Sequence, residues 1–167
     1  MTNVSAVPFE MTTHVRDACL CLHTQRAARA LARRFDAALR PTGLTHGQFS
    51  LLMALNRPAP ASTSEVAALL GADRTTLTAA FKPLLRQGLV EAGADTGDSR
   101  VRRIALTAEG KARLADALPL WVDAHAALET ELAGVEPARL KRDLNALAAR
   151  RPGDLAPALC DDEETPP

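Results

Sequence analysis

The feature that most constrains this chain is the change of period between Ser62 and Gly110, where a helical pattern gives way to a strand pattern and then returns. Ser62 followed by Glu65 is a capping box that opens a short helix, VAALLG, stopped by Gly71. Asp73 then caps TTLTAAFKPLLRQ, which ends at Gly88. The apolar-containing runs LVEA and VRRIAL lie on either side of GADTGDSR, the composition of a hairpin with a longer loop. Thr107, with Glu109 in the following turn, caps a new helix. Two short helices across a glycine turn, followed by a hairpin, predict a helix-turn-helix with a wing, its second helix being the reader.

The flanks are helical. From about Thr13 to Arg40, Val15, Cys19, Leu22, Leu31, Phe35 and Leu39 fall near helical spacing, and Pro41 and Gly43 end the run. Thr45 and Gln48 form a second capping box, opening a helix through FSLLMALNR that Pro58 and Pro60 close. The helix after Thr107 is expected to reach about Ala133, bent at Pro119, and Gly134 and Pro137 separate it from ARLKRDLNALAAR. The fold class is thus mainly α with a small β-hairpin wing: a winged helix-turn-helix flanked by N- and C-terminal helices. Residues 44–107 form the winged domain, 13–40 and 108–150 the helical flanks, and 1–12 and 151–167 flexible tails.

Charge narrows the function. The 20 Lys and Arg balance the 20 Asp and Glu, so a nucleic-acid surface must be local. It has a place: Arg74 to Arg113 holds eight basic and four acidic residues, whereas Arg151 to Pro167 holds one basic and five acidic. No leader-like N-terminal segment and no membrane-length apolar stretch is seen, and the three cysteines make no paired framework. A cytoplasmic chain with free thiols is expected. There is no Gly-rich phosphate loop, nucleophile elbow or metal-ligand spacing, so the sequence offers no enzyme site, no metal site and no cofactor.

Three segments carry a resemblance to the MarR family of transcriptional regulators, which covers roughly Cys19 to Arg150. They are LTHGQFSLLMAL, STSEVAALLGADRTTLTAAFKPLLRQGLVE, and DSRVRRIALTAEG, the last similar to the family's wing signature of Asp-x-Arg followed by Leu-Thr and Gly. The resemblance implies a homodimeric repressor that binds double-stranded DNA at a pseudo-palindromic operator. It makes the flanks, residues 13–40 and 108–150, dimerisation helices that interleave, with Leu20, Leu22, Val135, Leu140, Leu144 and Leu147 as interface candidates. It places Arg100 at the wing tip, with Asp98 orienting the loop through an Arg and Arg102 and Arg103 beside them. A wing of this kind enters the minor groove while a helix lies in the major groove. Arg74, Thr75, Thr76, Thr78 and Lys82 are the candidates on the reading helix.

Two residues depart from the family's pattern. Ala79 stands where the family commonly has Arg, and Ala80 follows where a polar residue would serve readout. Pro83 lies inside the same helix and removes a backbone hydrogen bond. Phosphate and shape readout are therefore expected to dominate, and an interaction module that has lost DNA binding is the competing reading.

For the signal, the family resemblance implies a small aromatic or phenolic effector, with His14, His23, Arg26, Arg29 and His46 on segments suited to line its site. The alternative is an OhrR-like oxidant sensor using Cys21, with Cys19 beside it. Against that stands the expectation that two residues two apart on one helix point about 200° away from each other. The chain also has no Tyr to support a thiolate. Buried, structural cysteines are the competing expectation.

Overall fold

A computed structural model of the chain describes residues 6–95, 102–132 and 134–149. Seven α-helices and three short strands are found among them: α1 (Phe9–Ala18), α2 (Leu20–Leu39), α3 (His46–Leu55), β1 (Ala61–Ser62), α4 (Thr63–Leu70), α5 (Arg74–Arg86), β2 (Val90–Ala94), β3 (Arg102–Leu106), α6 (Ala108–Glu131) and α7 (Pro137–Ala149). The chain divides into two compact units, residues 1–124 and 125–167.

The first unit is organised by its caps. Thr45 Oγ1 accepts from the Gln48 N–H at 3.2 Å while Gln48 Oε1 accepts from the Thr45 N–H at 2.9 Å, so α3 starts where the sequence says it should. The same reciprocal pair at Ser62 and Glu65 starts α4. Gly71 ends α4 with φ 62°, a left-handed conformation that a Cβ would strain. Asp73 caps α5 through the Thr76 N–H at 2.7 Å.

The sheet is antiparallel in the order β1-β3-β2. Val90 pairs with Leu106 and Ala94 with Arg102, the expected hairpin. The added strand β1 pairs Ala61 with Ile104 and Ser62 with Arg103. The core beneath comes from Leu39, Phe49, Leu52, Val66, Leu77, Phe81, Leu84, Leu89, Ile104 and Leu114, all buried.

The long first helix of the sequence reading is in fact two helices. Cys19 leaves the helical region with ψ 103°, and its Sγ caps α2 by accepting from the Leu22 N–H at 3.4 Å. Because α1 begins at Phe9, it also reaches into the stretch read as an N-terminal tail. Cys21 is exposed and Cys19 half-buried, so neither is the buried apolar thiol that was expected.

In the second unit, α7 follows the Gly134 turn (φ 83°), and Glu136 accepts from the Ala138 and Arg139 N–H groups to cap it. Lys141 Nζ donates to Glu129 Oε1 at 3.3 Å. Leu140, Leu144 and Leu147 lie on α7 with two-fifths or more of their surface exposed.

Candidate nucleic-acid interface

The reading helix α5 has two faces. Leu77, Phe81 and Leu84 face the core, and Ala80 packs against it as well. On a helix of 3.6 residues per turn, the stripe opposite runs through Thr75, Ala79, Lys82 and Arg86, and all four are exposed. The departure read at Ala80 is thus corrected: it is a core contact, where a polar side chain would be costly. Ala79 is the residue that changes the outer face. Arg86 belongs to that face and was missed, although its spacing from Thr75 and Lys82 marks it.

The predicted threonines are not equivalent. Thr76 Oγ1 donates to Asp73, and with the Thr76 N–H it holds the Asp73 carboxyl below the usual carboxylate range. Thr78 Oγ1 donates back to the Arg74 carbonyl at 2.8 Å. Among the described residues no such bond engages the Thr75 hydroxyl. Arg74 and Thr78 join Thr63, Ser64 and Arg102 around an open groove of about 620 Å³ between the start of α4, α5 and β3. An anion there would meet the Arg74 and Arg102 guanidinium groups and the hydroxyls of Thr63 and Ser64, beside the Arg103–Glu65 ion pair that also lines the groove, a donor set able to hold a phosphodiester.

Arg103 has a different role from its neighbour Arg102. Its Nη1 donates to Glu65 at 2.8 Å and its Nε to Asp95. Glu65 also accepts from the Ser62 N–H and lies 3.6 Å from Arg57 Nη2. One carboxylate therefore ties the start of α4, the loop before β1 and the base of the wing. Asp98 and Arg100 lie outside the described residues, so the pairing expected of Asp98 is unplaced, while Asp95 makes such a pair with Arg103.

The backbone N–H of Ser62, followed by its hydroxyl, then Arg103 and Arg57, holds Glu65 below the ordinary carboxylate range. A depressed folded value contributes stability that is complete above the unfolded value of about 4.3 and is lost as pH falls through the folded one. In urea unfolding between pH 5 and pH 3, the wild type should therefore lose more stability than Glu65→Gln. Equal losses would mean that Glu65 does not hold the wing base.

Of the proposed effector residues, the structure brings one into an aromatic cluster. His46 lies 5.5 Å from the Phe35 ring, which is 6.2 Å from Trp121, and Phe49 stacks on Trp121 at 6.0 Å. His46 Nδ1 is buried with no hydrogen-bond partner. His14, His23, Arg26 and Arg29 are exposed, and Arg29 donates to Gln25 on the same helix. No group of three His, Cys, Asp or Glu side chains suited to a metal occurs among the described residues. None of the helices described is long and apolar enough to cross a membrane.

A reading helix capped by Asp73, a preceding helix, and a three-stranded sheet define a winged helix-turn-helix protein. The chain belongs to the MarR family of transcriptional regulators, whose family model matches residues 42–101. The chain is similar to the Mycobacterium tuberculosis transcriptional regulator MosR in complex with DNA, at 44% identity over 78% of this chain and 93% of that one, with a TM-score of 0.71. A mutant of E. coli MarR complexed with operator DNA is 25% identical over 80% and 96%, with a TM-score of 0.71. The repressor CouR of Rhodococcus jostii RHA1, bound to p-coumaroyl-CoA, is 27% identical over 82% and 96%, with a TM-score of 0.70. No curated protein matches the chain. Membership of this family makes the chain a regulator and not an enzyme.

Proposed function

We propose that the chain is a cytoplasmic, homodimeric repressor that binds a pseudo-palindromic DNA operator through α5 and the wing and is released by a small aromatic ligand. The observation that carries the DNA reading is the outer stripe of α5, where Thr75, Lys82 and Arg86 are exposed, together with Arg74 and Arg102, which line one groove between α5 and β3. Two-fold pairing would put two such helices on half-sites one turn, roughly 10 base pairs, apart. Residues 13–40 and 108–150 supply the pairing region in this reading, consistent with the exposed Leu20, Val135, Leu140, Leu144 and Leu147. Leu22 is half-buried within its own chain.

Fluorescence anisotropy on the DNA upstream of the gene, at salt from 50 to 200 mM, tests the reading. Affinity should fall steeply with salt, and Arg100→Ala should flatten the log–log slope by about one unit for each phosphate contact removed. Weak binding to every duplex by both proteins would instead favour the interaction-module reading.

The effector reading is supported by His46, since a buried imidazole nitrogen without a partner is completed by a ligand that brings one. His46→Phe keeps an aromatic ring against Phe35 and removes that nitrogen. DNA release by a panel of aromatic carboxylates and phenols should weaken at least 10-fold in this variant, with operator affinity unchanged. Identical release would remove His46 from the effector site.

A second reading, the thiol sensor, gains from the helix break. With Cys19 outside the helix, the argument that held its side chain about 200° from that of Cys21 no longer applies. Exposed Cys21 would attack an organic hydroperoxide to give a sulfenic acid and an alcohol, and the Cys19 thiol would then expel water to form a disulfide. Loss of DNA binding on peroxide treatment that dithiothreitol reverses and Cys21→Ser abolishes would support it. A response unchanged in Cys21→Ser would remove it.

A further inference from the structure

We propose that α5 reads the 5-methyl groups of thymine at the centre of each half-site, with Ala79 and the γ-methyls of Thr75 and Thr78 as the reading groups. This rests on the DNA-binding reading above and identifies the base chemistry that the helix selects. In a helix lying in the major groove, the N-terminal half faces base edges. Here that half presents Arg74, Thr75, Thr76, Thr78 and Ala79 to solvent.

Their hydrogen-bonding capacity is low for this position. The Thr76 proton is committed to Asp73 and the Thr78 proton to the Arg74 carbonyl. Ala79, which stands on the outermost line of the helix, has no polar side-chain atom. Guanine facing Ala79 would have its N7 and O6 acceptors stripped of water with no donor from that side chain, leaving the Thr75 hydroxyl as the one threonine donor nearby, which is unfavourable. Thymine presents a methyl group there, and apolar contact with Ala or a threonine methyl is how side chains distinguish it. Lys82 and Arg86, about two and three turns after Thr75 on the same line, supply charge without competing for the central base.

The test starts from random-sequence duplexes enriched on the purified full-length protein. The enriched duplex is then synthesised with thymine or with deoxyuridine throughout both half-sites, a change that removes only methyl groups. One buried methyl in each half-site, at roughly 4-fold each, predicts about 15-fold weaker binding to the deoxyuridine duplex. Ala79→Gly should shrink that ratio, with folding checked by thermal unfolding. Ala79→Arg should enrich guanine at the position it faces.

Equal affinity for the two duplexes, or enriched half-sites without thymine, would overturn the inference and leave DNA binding standing. A thymine preference unchanged in Ala79→Gly would overturn it as well, because the methyls would then act through DNA shape. If no sequence is enriched and no duplex is bound, the DNA-binding reading falls and this inference falls with it.

Discussion

Gly110→Ala is expected to cost about 3 kcal/mol of folding stability, at the upper end of what an overpacked site usually costs. A Cβ at Gly110 would stand 1.9 Å from the Leu89 carbonyl oxygen and 2.9 Å from its carbon. Both are backbone atoms, so no rotamer change relieves the overlap. The Leu89 carbonyl is moreover fixed, since it accepts the Thr107 N–H at 3.2 Å, and Thr107 Oγ1 donates to the neighbouring Gly88 carbonyl at 2.6 Å. Relief would require parting α6 from the α5–β2 turn and losing both bonds. At 2–4 °C per kcal/mol for a chain of this size, the melting temperature should fall by roughly 6–12 °C. Gly47→Ala is the control: nothing lies within 4 Å of its Cβ, and it sits in α3, where alanine is preferred by roughly 0.5–1 kcal/mol. If Gly110→Ala melts with the wild type, α6 does not seat on this turn.

The largest effect on DNA binding is expected from Lys82→Ala, Arg86→Ala and Arg102→Ala made together. Each side chain is exposed and makes no ion pair among the described residues, so its removal should leave the core intact. Each phosphate contact contributes nearly one unit to the log–log salt slope, or roughly 5-fold at 0.15 M relative to 1 M salt. Three such contacts predict at least about 100-fold weaker binding at 0.15 M, together with a much shallower slope. Arg103→Ala gives the contrasting result: it releases Glu65 and Asp95 and should show chiefly in stability. Unchanged affinity and slope in the triple variant would place the DNA on another surface.

What the sequence could announce here is what local chemistry decides. Thr45 with Gln48, Ser62 with Glu65, and Asp73 each satisfy N–H groups within three residues, so a spacing in the sequence is already a hydrogen bond in the fold. The hairpin was legible for the same reason. The strand β1 was not, because a two-residue strand exists only through Ile104 and Arg103, some 40 residues away. Nor was the role of Arg103, whose partner Glu65 is 38 residues distant and reads in the sequence as a cap residue alone. The break at Cys19 had no signal, since cysteine is not among the preferred cap residues and the helical pattern runs through it. Ala79 and Ala80 look alike in a string. Only the position of Phe81 and Leu84 decides which of them faces the core and which faces out.

The seating of Gly110 on Leu89 holds the first turn of α6 directly against the α5–β2 turn. No slack residues separate β3 from the first turn of α6, because Thr107 is already bound to Gly88 and Leu89. From Ala108 to Ala124 the helix is about 25 Å long. Tilting it by about 10° about its first turn would swing the far end roughly 4 Å. A ligand that shifted the start of α6 would press directly on the backbone of the α5–β2 turn without touching the outer face of α5.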